Sequence, residues 1–552
     1  MYSAEPLPHF VDEYLAYLYE VQPTNATFDG VHVHDDLLED FGRQAIDAQV
    51  RALGGLGRRL AGIDPARLTE VERLERPALE ASIRSRLFEL EEVRSWERSL
   101  QAYADVLATS LAGQAIFEYA PLAERARRVL SKLRQAPRLM QAARDNIKDP
   151  PGIFLKVGLE SLRGTLRFID DDLPRAFGDL GELHLLGDLA DAAAEASAAV
   201  ASCIDYFETD VAPRARGSFR LGRERFARKF ELDEGLTAGV DRLLEIAMRE
   251  LRGTQEEFRR AASRLNGGDP SAAWQKAKAQ HPPAGQLVSV AQQQVAELEQ
   301  FITRAGIITI PDGAPVSVAP TPRFYRWTSA SMWTPGPFES RPLRAVYYIT
   351  DVDPAWPPDR QDEHLRDFNY GALWAISIHE VFPGHFLHYQ HLRQVDSKLR
   401  KSILFSSSAF VEGWAHYCEQ MMVDEGFRRQ DPAMKLGQLA EALIRLCRAV
   451  VGIRLHCEDM SVEQAVRFFR EEAFLEEASA RREAERGTFD PAYILYSTGK
   501  LMLLKLREDY RGRVGARFSL RGFHDTLLSN GSVPLWLHRK LMLGEQNGDV
   551  LD

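Results

Sequence analysis

Cysteine is scarce in this chain. Its four cysteines are spread over 552 residues and form no Cys-x-x-Cys pair. A thiolate metal site and a disulfide framework both need clustered or paired cysteines, so the sequence predicts neither. We expect reduced and mostly buried thiols at Cys203, Cys418, Cys447 and Cys457, as in a cytoplasmic protein.

Long apolar runs and an excess of positive charge are also missing. No stretch approaches 18 uninterrupted apolar residues, so the sequence predicts no transmembrane helix. The first ten residues have neither the basic nor the apolar region of a secretory signal, which again favours a cytoplasmic location. The net charge of −11 disfavours nucleic acid as a partner. The sequence thus predicts no membrane or nucleic-acid partner and leaves the oligomeric state open.

What the chain does have is a nearly continuous pattern of amphipathic helices. Hydrophobic residues make up 45% of it, which is ordinary for a globular protein. The pattern predicts a mainly α protein, built as one continuous fold rather than as independent domains. Its expected parts are a helical lobe over 1–265, a connecting helix with a small β-sheet over 266–370, and a second helical lobe over 371–552.

A change of composition marks the middle part. Short β-branched and aromatic runs bounded by Pro and Gly predict a small antiparallel sheet just before the second lobe, with strands near 306–311, 315–319 and 344–350. An edge strand of such a sheet can pair with an extended substrate backbone. The aromatic loop from Arg323 to Pro337 would either line a cleft or pack in the core, the second being more common for aromatic clusters.

The most informative stretch is His-Glu-Val-Phe-Pro-Gly-His at residues 379–385. In a zinc peptidase helix, His-Glu-x-x-His sets two histidines one turn apart so that both bind one metal. Six residues of unbroken helix turn through roughly 600°, which would leave His379 and His385 about 120° apart. Pro383 removes a helix hydrogen bond, and Gly384 tolerates the positive φ of a bulge. We therefore predict an expanded metal helix with both histidines on one face and Glu380 beside the metal.

A third ligand is expected on the next helix. Glu412, His416 and Glu419 fall at i, i+4 and i+7 on one predicted helix face, with Ser408 available as the N-cap. Spacing alone makes Glu412 a reasonable candidate ligand, with a surface or salt-bridged acid as the alternative.

Other histidines near the motif have less specific interpretations. The two motif histidines could instead be core residues at a helix end. His388, His391 and His416 are interpreted as surface residues or as groups that orient the ligands, because zinc sites usually have three protein ligands. His32 and His34 are interpreted as turn residues rather than ligands.

With these residues in view, the chain resembles the bacterial "domain of unknown function 885" family, which is similar to the gluzincin metallopeptidases. The resemblance runs nearly end to end. The metal motif and the Glu-Gly-Trp segment are the specific parts. The matching segments are Pro23-x-x-Ala26-Thr27-x-x-Gly30, residues 123–144, the 379–385 motif, Glu412-Gly413-Trp414-Ala415-x-Tyr417-x-Glu419, Tyr496-x-x-Gly499-Lys500 and Phe523-His524-Asp525-x-Leu527-Leu528.

The resemblance implies a large helical, zincin-like fold with a deep internal cleft and zinc-dependent hydrolysis of short peptides. It implies one Zn2+ per chain on His379, His385 and Glu412, although manganese or cobalt would also suit such a site. The family pattern usually reads Asp-x-Gly-x-His where this chain has Gly452 and Arg454 before His456. Both changes fall where substrate contacts are expected.

The expected mechanism is Glu-assisted attack of metal-bound water. Zinc lowers the pKa of its water towards about 7, and Glu380 would accept the proton and pass it to the leaving amine. A donor to the oxyanion would come from a later helix, with Tyr496 preferred, His456 second and Tyr493 as a fallback, each against a structural role.

Three further residues complete the predicted site. Glu419 would orient a ligand, Arg454 would hold a substrate carboxylate or form a structural salt bridge, and Tyr348 would face the substrate or pack. The alternatives to a peptidase are a zinc hydrolase of a non-peptide amide or specialised metabolite, and a non-catalytic helical protein that binds a ligand or another protein.

Overall fold

The computed structural model describes residues 5–266, 269–313, 315–322, 325–326, 328–544 and 551. The protein is mainly helical with one three-stranded sheet, which confirms the predicted class. Among the described residues, no helix is both long and apolar enough to cross a membrane. The four cysteines are free, and three of them are buried.

The first nine helices form two neighbouring groups. The first group shares a core with Leu399 and Leu537 from the C-terminal part of the chain. The second group packs around its own core, which also includes Trp333 and Tyr348 from the sheet. The first group contains α1 (Leu7–Val21), α2 (Pro23–Asp29), α3 (Arg43–Gly62) and α4 (Glu70–Phe88), and the second contains α5 (Leu100–Ile116), α6 (Leu122–Asn146), α7 (Gly152–Arg167), α8 (Leu173–Ala176) and α9 (Leu183–Tyr206).

The next four helices belong to a third and larger core. Phe226, Leu251 and Leu298 are buried in it together with side chains from the C-terminal helices. This core therefore begins before residue 265, inside the segment that the sequence assigns to the first lobe. The four helices are α10 (Arg223–Glu234), α11 (Val240–Asn266), α12 (Pro270–Lys278) and α13 (Leu287–Ala305).

The sheet is mixed rather than antiparallel, which corrects the prediction. Its strands are β1 (Val316–Pro320), β2 (Ala330–Trp333) and β3 (Ala345–Ile349), in the order β1-β3-β2. β1 runs parallel to β3, and β2 runs antiparallel to it. Successive side chains of β3 point to opposite faces, so Tyr347 lies in the third core and Tyr348 in the second.

The predicted strand at 306–311 does not form. Side chains from a later helix take the hydrogen bonds that a neighbouring strand would have made. His524 Nδ1 lies 2.8 Å from the carbonyl oxygen of Ile307, and the amide of Thr309 donates to Asp525 at 2.9 Å. β2 instead lies in the segment predicted as an aromatic loop. Phe324 and Trp327 of that loop lie outside the described residues.

The remaining helices build the C-terminal lobe. Two of them, α18 (Ser408–Asp424) and α22 (Leu495–Val514), cross with their backbones in contact, since a Cβ on Gly499 would lie 1.8 Å from the carbonyl oxygen of Ala409. This lobe contains α14 (Pro358–Asp367), α15 (Tyr370–Glu380), α16 (His385–Leu392), α17 (Lys398–Lys401), α18 (Ser408–Asp424), α19 (Pro432–Cys457), α20 (Val462–Ala473), α21 (Glu477–Phe489), α22 (Leu495–Val514), α23 (Leu520–Ser529) and α24 (Leu535–Leu543).

His32 joins the N-terminal helices to the loop after β2. Its Nδ1 lies 2.9 Å from Asp35, its Nε2 lies 3.0 Å from Glu339, and its ring stacks on Tyr119. Burial disfavours the charged ring, but the two carboxylates outweigh this effect and raise the pKa of His32 to about 9. These contacts agree with a structural role for His32.

The His32 contacts predict a pH-dependent contribution to stability. Because the folded-state pKa is raised, the contribution is fully present below about pH 6.5 and is lost as pH rises through about 9. We expect His32→Gln to lower the melting temperature at pH 6.5 and to have little effect at pH 10. His34→Gln is the matched control. An equal loss for His32→Gln at both pH values would contradict the prediction.

Candidate metal centre

The metal motif is built from two helices and not from one expanded helix. α15 ends at Glu380, a turn that contains the cis Phe382–Pro383 peptide follows, and α16 begins at His385. Trp414 of α18 donates its indole hydrogen to the carbonyl of Pro383 at 3.0 Å. The predicted break is therefore present, but it separates the two histidines onto different helices.

Gly384 is required by close approach and not by a positive φ, which corrects the expectation from sequence. Its φ is −68°. A Cβ at this position would lie 1.8 Å from the carbonyl oxygen of His379 and 2.4 Å from that of Ile378. Only a residue without a side chain lets the turn fold back on the end of α15.

This turn brings the two histidines together with Glu412. Nε2 of His379 lies 3.5 Å from Oε2 of Glu412, and Nε2 of His385 lies 3.6 Å from the same oxygen. The two imidazole rings are 4.8 Å apart and nearly perpendicular. α18 presents Glu412 one turn inside its N-terminus, where Ser407, and not the predicted Ser408, is the N-cap.

The donor set fits a tetrahedral metal ion. Bonds of about 2.0–2.1 Å at tetrahedral angles place neighbouring ligand atoms about 3.3–3.4 Å apart, close to both observed N–O separations. Oε2 of Glu412 is buried without a hydrogen-bond partner in the described part of the chain. A buried carboxylate oxygen without a donor is unfavourable unless a ligand compensates for it. Two imidazoles and one carboxylate are the usual donors of such sites.

Glu419 fixes the orientation of His379. Its buried carboxylate lies 2.8 Å from Nδ1 of His379, 3.0 Å from Arg445 and 3.2 Å from Nδ1 of His416. With Nδ1 engaged by Glu419, the lone pair of His379 Nε2 is directed towards Glu412. Glu419 and His416 therefore lie behind the cluster of His379, His385 and Glu412.

The cluster strongly favours an ionised Glu412. Burial opposes ionisation of this carboxyl, but His379 and His385 outweigh burial and hold its pKa well below the usual range. Burial likewise disfavours a charged His379, yet Glu412 and Glu419 raise its pKa to about 9.

Glu380 and Tyr496 lie next to these ligands. Glu380 is the last residue of α15 and is largely buried, and burial raises its pKa although His385 and His379 act in the opposite direction. The ring of Tyr496 lies 6.2 Å from that of His379. Arg486 donates to the Tyr496 hydroxyl at 3.2 Å.

His456 and Arg454 have contacts outside the cluster, of the structural kind that the sequence analysis kept as alternatives. Nε2 of His456 lies 2.9 Å from the carbonyl of Gly487, and its Nδ1 accepts from the amide of Leu221 at 3.4 Å, so both ring nitrogens are engaged with backbone groups. Arg454 lies 3.7 Å from Glu458 on the same helix, which is the structural salt bridge considered as the alternative.

Tyr493 and Tyr348 are packing residues. The Tyr493 ring fills the space beside Gly452, where a Cβ would lie 2.7 Å from it. The glycine at 452, where the family usually has Asp, thus makes room for this ring. Tyr348 is buried and packs edge-on against Trp333. The Tyr493 hydroxyl is buried without a hydrogen-bond partner among the described residues.

His388 and His391 are also structural. Nε2 of His388 is hydrogen-bonded to the hydroxyl of Ser532 at 2.8 Å, and Nε2 of His391 lies 2.8 Å from the carbonyl of Thr309. A second His and Glu group, Glu5, His9 and Glu13, lies on α1. It is at the surface, and Arg59 pairs with both of its carboxylates.

Sequence reasoning missed a group of arginines around Tyr496. Arg445, Arg448 and Arg486 lie with their guanidinium carbons 4.9–5.9 Å from the centre of its ring. The available signal was the i, i+3 spacing of Arg445 and Arg448 within an otherwise apolar stretch of α19, since buried arginines are uncommon without partners.

The family profile described as "Bacterial protein of unknown function (DUF885)" matches residues 23–542. No curated protein matches the chain. Among solved structures, a candidate lipoprotein of unknown function from Shewanella oneidensis is 26% identical, with a TM-score of 0.79 over 98% of this chain and 100% of that one. A candidate lipoprotein from Colwellia psychrerythraea is 18% identical, with a TM-score of 0.80 over 97% of this chain and 98% of that one. At this identity the similarity supports the fold alone. The cytoplasmic location stays a prediction.

The Glu419 contacts predict that this residue controls metal affinity without binding the metal. We expect Glu419→Gln to weaken zinc binding by about tenfold to a hundredfold, because His379 loses its charged partner. Competition with a chelating dye measures the effect. Glu441→Gln is the control, since Glu441 pairs with Nη1 of the same Arg445, whereas Glu419 pairs with its Nη2. Equal zinc affinity in the wild type and Glu419→Gln would refute this role.

Proposed function

The chain belongs to the DUF885 family of bacterial proteins, and for this member we propose a zinc-dependent peptidase that hydrolyses short peptides. One observation carries the proposal. Two imidazole nitrogens converge on a buried, unpartnered oxygen of Glu412 at a spacing that suits a tetrahedral ion. Glu380 precedes the turn between the two histidines and lies beside the cluster.

His379, His385 and Glu412 would hold the metal. A zinc ion bound there supplies a Lewis acid for the scissile carbonyl and lowers the pKa of a water molecule. The three donors leave a position for that water, as catalytic zinc sites with three protein ligands do. Nitrogen and carboxylate donors are compatible with manganese and cobalt as well.

Glu380 is assigned as the general base. Its carboxylate would accept a proton from the attacking water and then deliver it to the nitrogen of the leaving amine. Burial strengthens a carboxylate as a base because it raises the pKa of the group. The supporting observation is the position of Glu380 at the end of α15, next to His379.

Tyr496 is assigned as the donor to the developing oxyanion. Burial is the largest cause of its raised pKa, so the phenol keeps its proton near neutral pH. Arg486 already donates to the Tyr496 oxygen. The phenol hydrogen therefore remains available for an acceptor on the substrate, which favours this residue over His456.

We also propose that the ligands line an internal, zincin-like cleft. Glu412 and Arg486 keep 27% and 28% of their side-chain surface although helices surround them. β2 is an edge strand that packs beside α15. Its outer edge can pair with an extended peptide, which would place a substrate backbone beside Glu380.

The ligand assignment predicts a measurable metal content. Native protein should contain about one zinc per chain by mass spectrometry, and His385→Ala should lose it because two protein donors bind zinc poorly. His391→Ala is the control, since His391 is a buried histidine of the same helix bonded to Thr309. Absence of metal from the wild type after zinc is offered would favour a non-catalytic helical protein.

The base assignment predicts a separation of binding from turnover. Glu380→Gln should keep its zinc and lower peptide hydrolysis by about 10²–10⁴-fold, the usual range for loss of a general base. Glu508→Gln, an exposed change on α22, should leave both quantities unchanged. Cleavage of di- to octapeptides by Glu380→Gln at the wild-type rate would remove the peptidase assignment.

A further inference from the structure

A cavity of about 220 Å³ lies between α16 and the sheet. α16 and its C-terminal end contribute three of its lining side chains, and β3 with the segment before it contributes two more, namely Phe386, Tyr389, Arg393, Ala345 and Leu343. At about 30 Å³ for each water molecule, the cavity has room for roughly seven waters. A single amino-acid residue or a short acyl group fits this space, and a folded segment does not.

Most of the cavity wall is apolar. Phe386, Leu343, Ala345 and Pro335 line it and are themselves buried, so their apolar surface faces either the core or the cavity. One carboxylate, Asp312, also lines the cavity, but this residue is exposed to solvent. An exposed carboxylate is hydrated and needs no partner in the protein. The inner wall therefore favours an apolar group.

Arg393 is the half-buried cation of this cavity. Its Nη1 donates to the carbonyl of Gly336 at 3.1 Å, and its Nη2 donates to the carbonyl of Glu339 at 3.0 Å. These bonds use two of the five N–H groups of the guanidinium, and both acceptors are neutral. Burial lowers the pKa of Arg393, and the charge of Glu339 acts in the opposite direction.

The part of the chain that the structure describes supplies no ion pair to Arg393. The carboxylate of Glu339 lies 3.0 Å from Nε2 of His32 and pairs with that ring instead. Arg400, which is also half-buried and lies on the next helix, differs in this respect because it pairs with Glu75 at 2.8 Å. Arg393 thus brings a positive charge to the cavity without a counterion.

We propose that the cavity beside α16 binds a free carboxylate carried by an apolar group, with the carboxylate on Arg393 and the apolar group against Phe386 and Leu343. A guanidinium can donate two parallel hydrogen bonds to one carboxylate. A partly buried charge without a partner is unfavourable, and the ligand supplies the missing counterion. The ligand is either the carboxyl terminus of a peptide or a free apolar acid. Only the first source rests on the proposed peptidase function.

The cavity adjoins the metal motif through α16. This helix begins at His385, and Arg393 follows its last residue. Eight residues of helix rise about 12 Å, a distance that an extended peptide covers in three or four residues. The cavity wall also contacts the turn of the motif, since Phe386 packs edge-on against Phe382 at 5.3 Å. A peptide whose carboxyl terminus is bound by Arg393 would therefore be cleaved within a few residues of that end.

The test uses N-acetyl-leucine as the probe, titrated into the full-length protein and followed by ligand-observed NMR. We expect a dissociation constant of about 1 mM or below. N-acetyl-leucinamide lacks the charge and N-acetylglycine lacks the apolar side chain, so each should bind about tenfold more weakly. Equal binding of N-acetyl-leucine and its amide would overturn the proposal, and this comparison needs no substituted protein.

Substitution of the arginine identifies the site. Arg393→Gln should weaken binding of N-acetyl-leucine by about tenfold and leave that of the amide unchanged. Arg341→Gln is the matched control, because Arg341 lies in the same loop-bonded region and also donates to a backbone carbonyl, that of Glu118 at 2.7 Å, but lies outside the cavity. An equal loss of binding in both variants would contradict the assignment to Arg393.

A carboxylate could also bind a metal ion, and a further variant separates the two possibilities. His385→Ala removes a candidate metal ligand and leaves Arg393 in place. Binding of N-acetyl-leucine to this variant should equal that of the wild type. Loss of binding in His385→Ala would place the carboxylate on the metal and overturn the proposal.

Cleavage assays distinguish the two sources of the carboxylate. The peptide Ala-Ala-Ala-Leu and its carboxyl-terminal amide are compared on the zinc-loaded protein. If the ligand is a peptide terminus, kcat/KM for the free acid should be about tenfold higher, and Arg393→Gln but not Arg341→Gln should remove this preference. Equal cleavage of both peptides, with N-acetyl-leucine still bound, would assign the site to a free acid. Cleavage of neither peptide, with binding retained, would reject the peptidase and keep the carboxylate site.

Discussion

The buried carboxylate of Glu419 is the contact on which the candidate metal centre depends. It takes hydrogen bonds or ion pairs from three different helices: His379 on α15, His416 on its own helix α18, and Arg445 on α19. A fully buried carboxylate is tolerated only with such partners, so the helices cannot separate without exposing or orphaning a charge. The same contact fixes the ring of His379. One constraint therefore holds the helices together and orients a candidate metal donor.

The tight helix crossings make this arrangement possible. α18 and α22 touch backbone to backbone at Gly413 and Gly499, which carries Tyr496 to within reach of the ligands. The turn at Gly384 does the same for His385, since a side chain there would collide with the end of α15. At each place the absence of a glycine side chain allows a residue of the candidate site to come close. A bulky substitution at either glycine would act on the site through the backbone.

The sequence predicted most of the centre because its information is local there. The 379–385 motif contains both histidines, the proposed base Glu380 and the Pro-Gly break, and the i, i+4, i+7 spacing places Glu412 and Glu419 on one helix face. Two errors have the same origin. The break became a second helix and Gly384 has a negative φ, because the tertiary contact with Trp414 decides how the chain turns. Local sequence preferences predict that the helix breaks at this point, but they do not predict the path of the chain after the break.

The errors further from the motif have a different cause. Residues 306–311 have strand propensity, but His524 and Asp525, more than 200 positions away, satisfy their backbone. His456 was a candidate donor to the oxyanion, but both of its ring nitrogens are engaged by backbone groups. The roles of such residues depend on the distant segments that pack against them.

The hydrogen-bond partners of buried carboxylates distinguish the candidate site from the rest of the described chain. Most buried carboxylates of the described chain have partners: Glu234 caps α18, and Asp29 accepts from Tyr19 and Ser402. Oε2 of Glu412, by contrast, is buried without a hydrogen-bond partner among the described residues. A buried polar group without a partner destabilises the fold, so such a group is expected mainly where a bound ligand supplies the missing partner. A metal ion bound by His379, His385 and Glu412 would satisfy this oxygen.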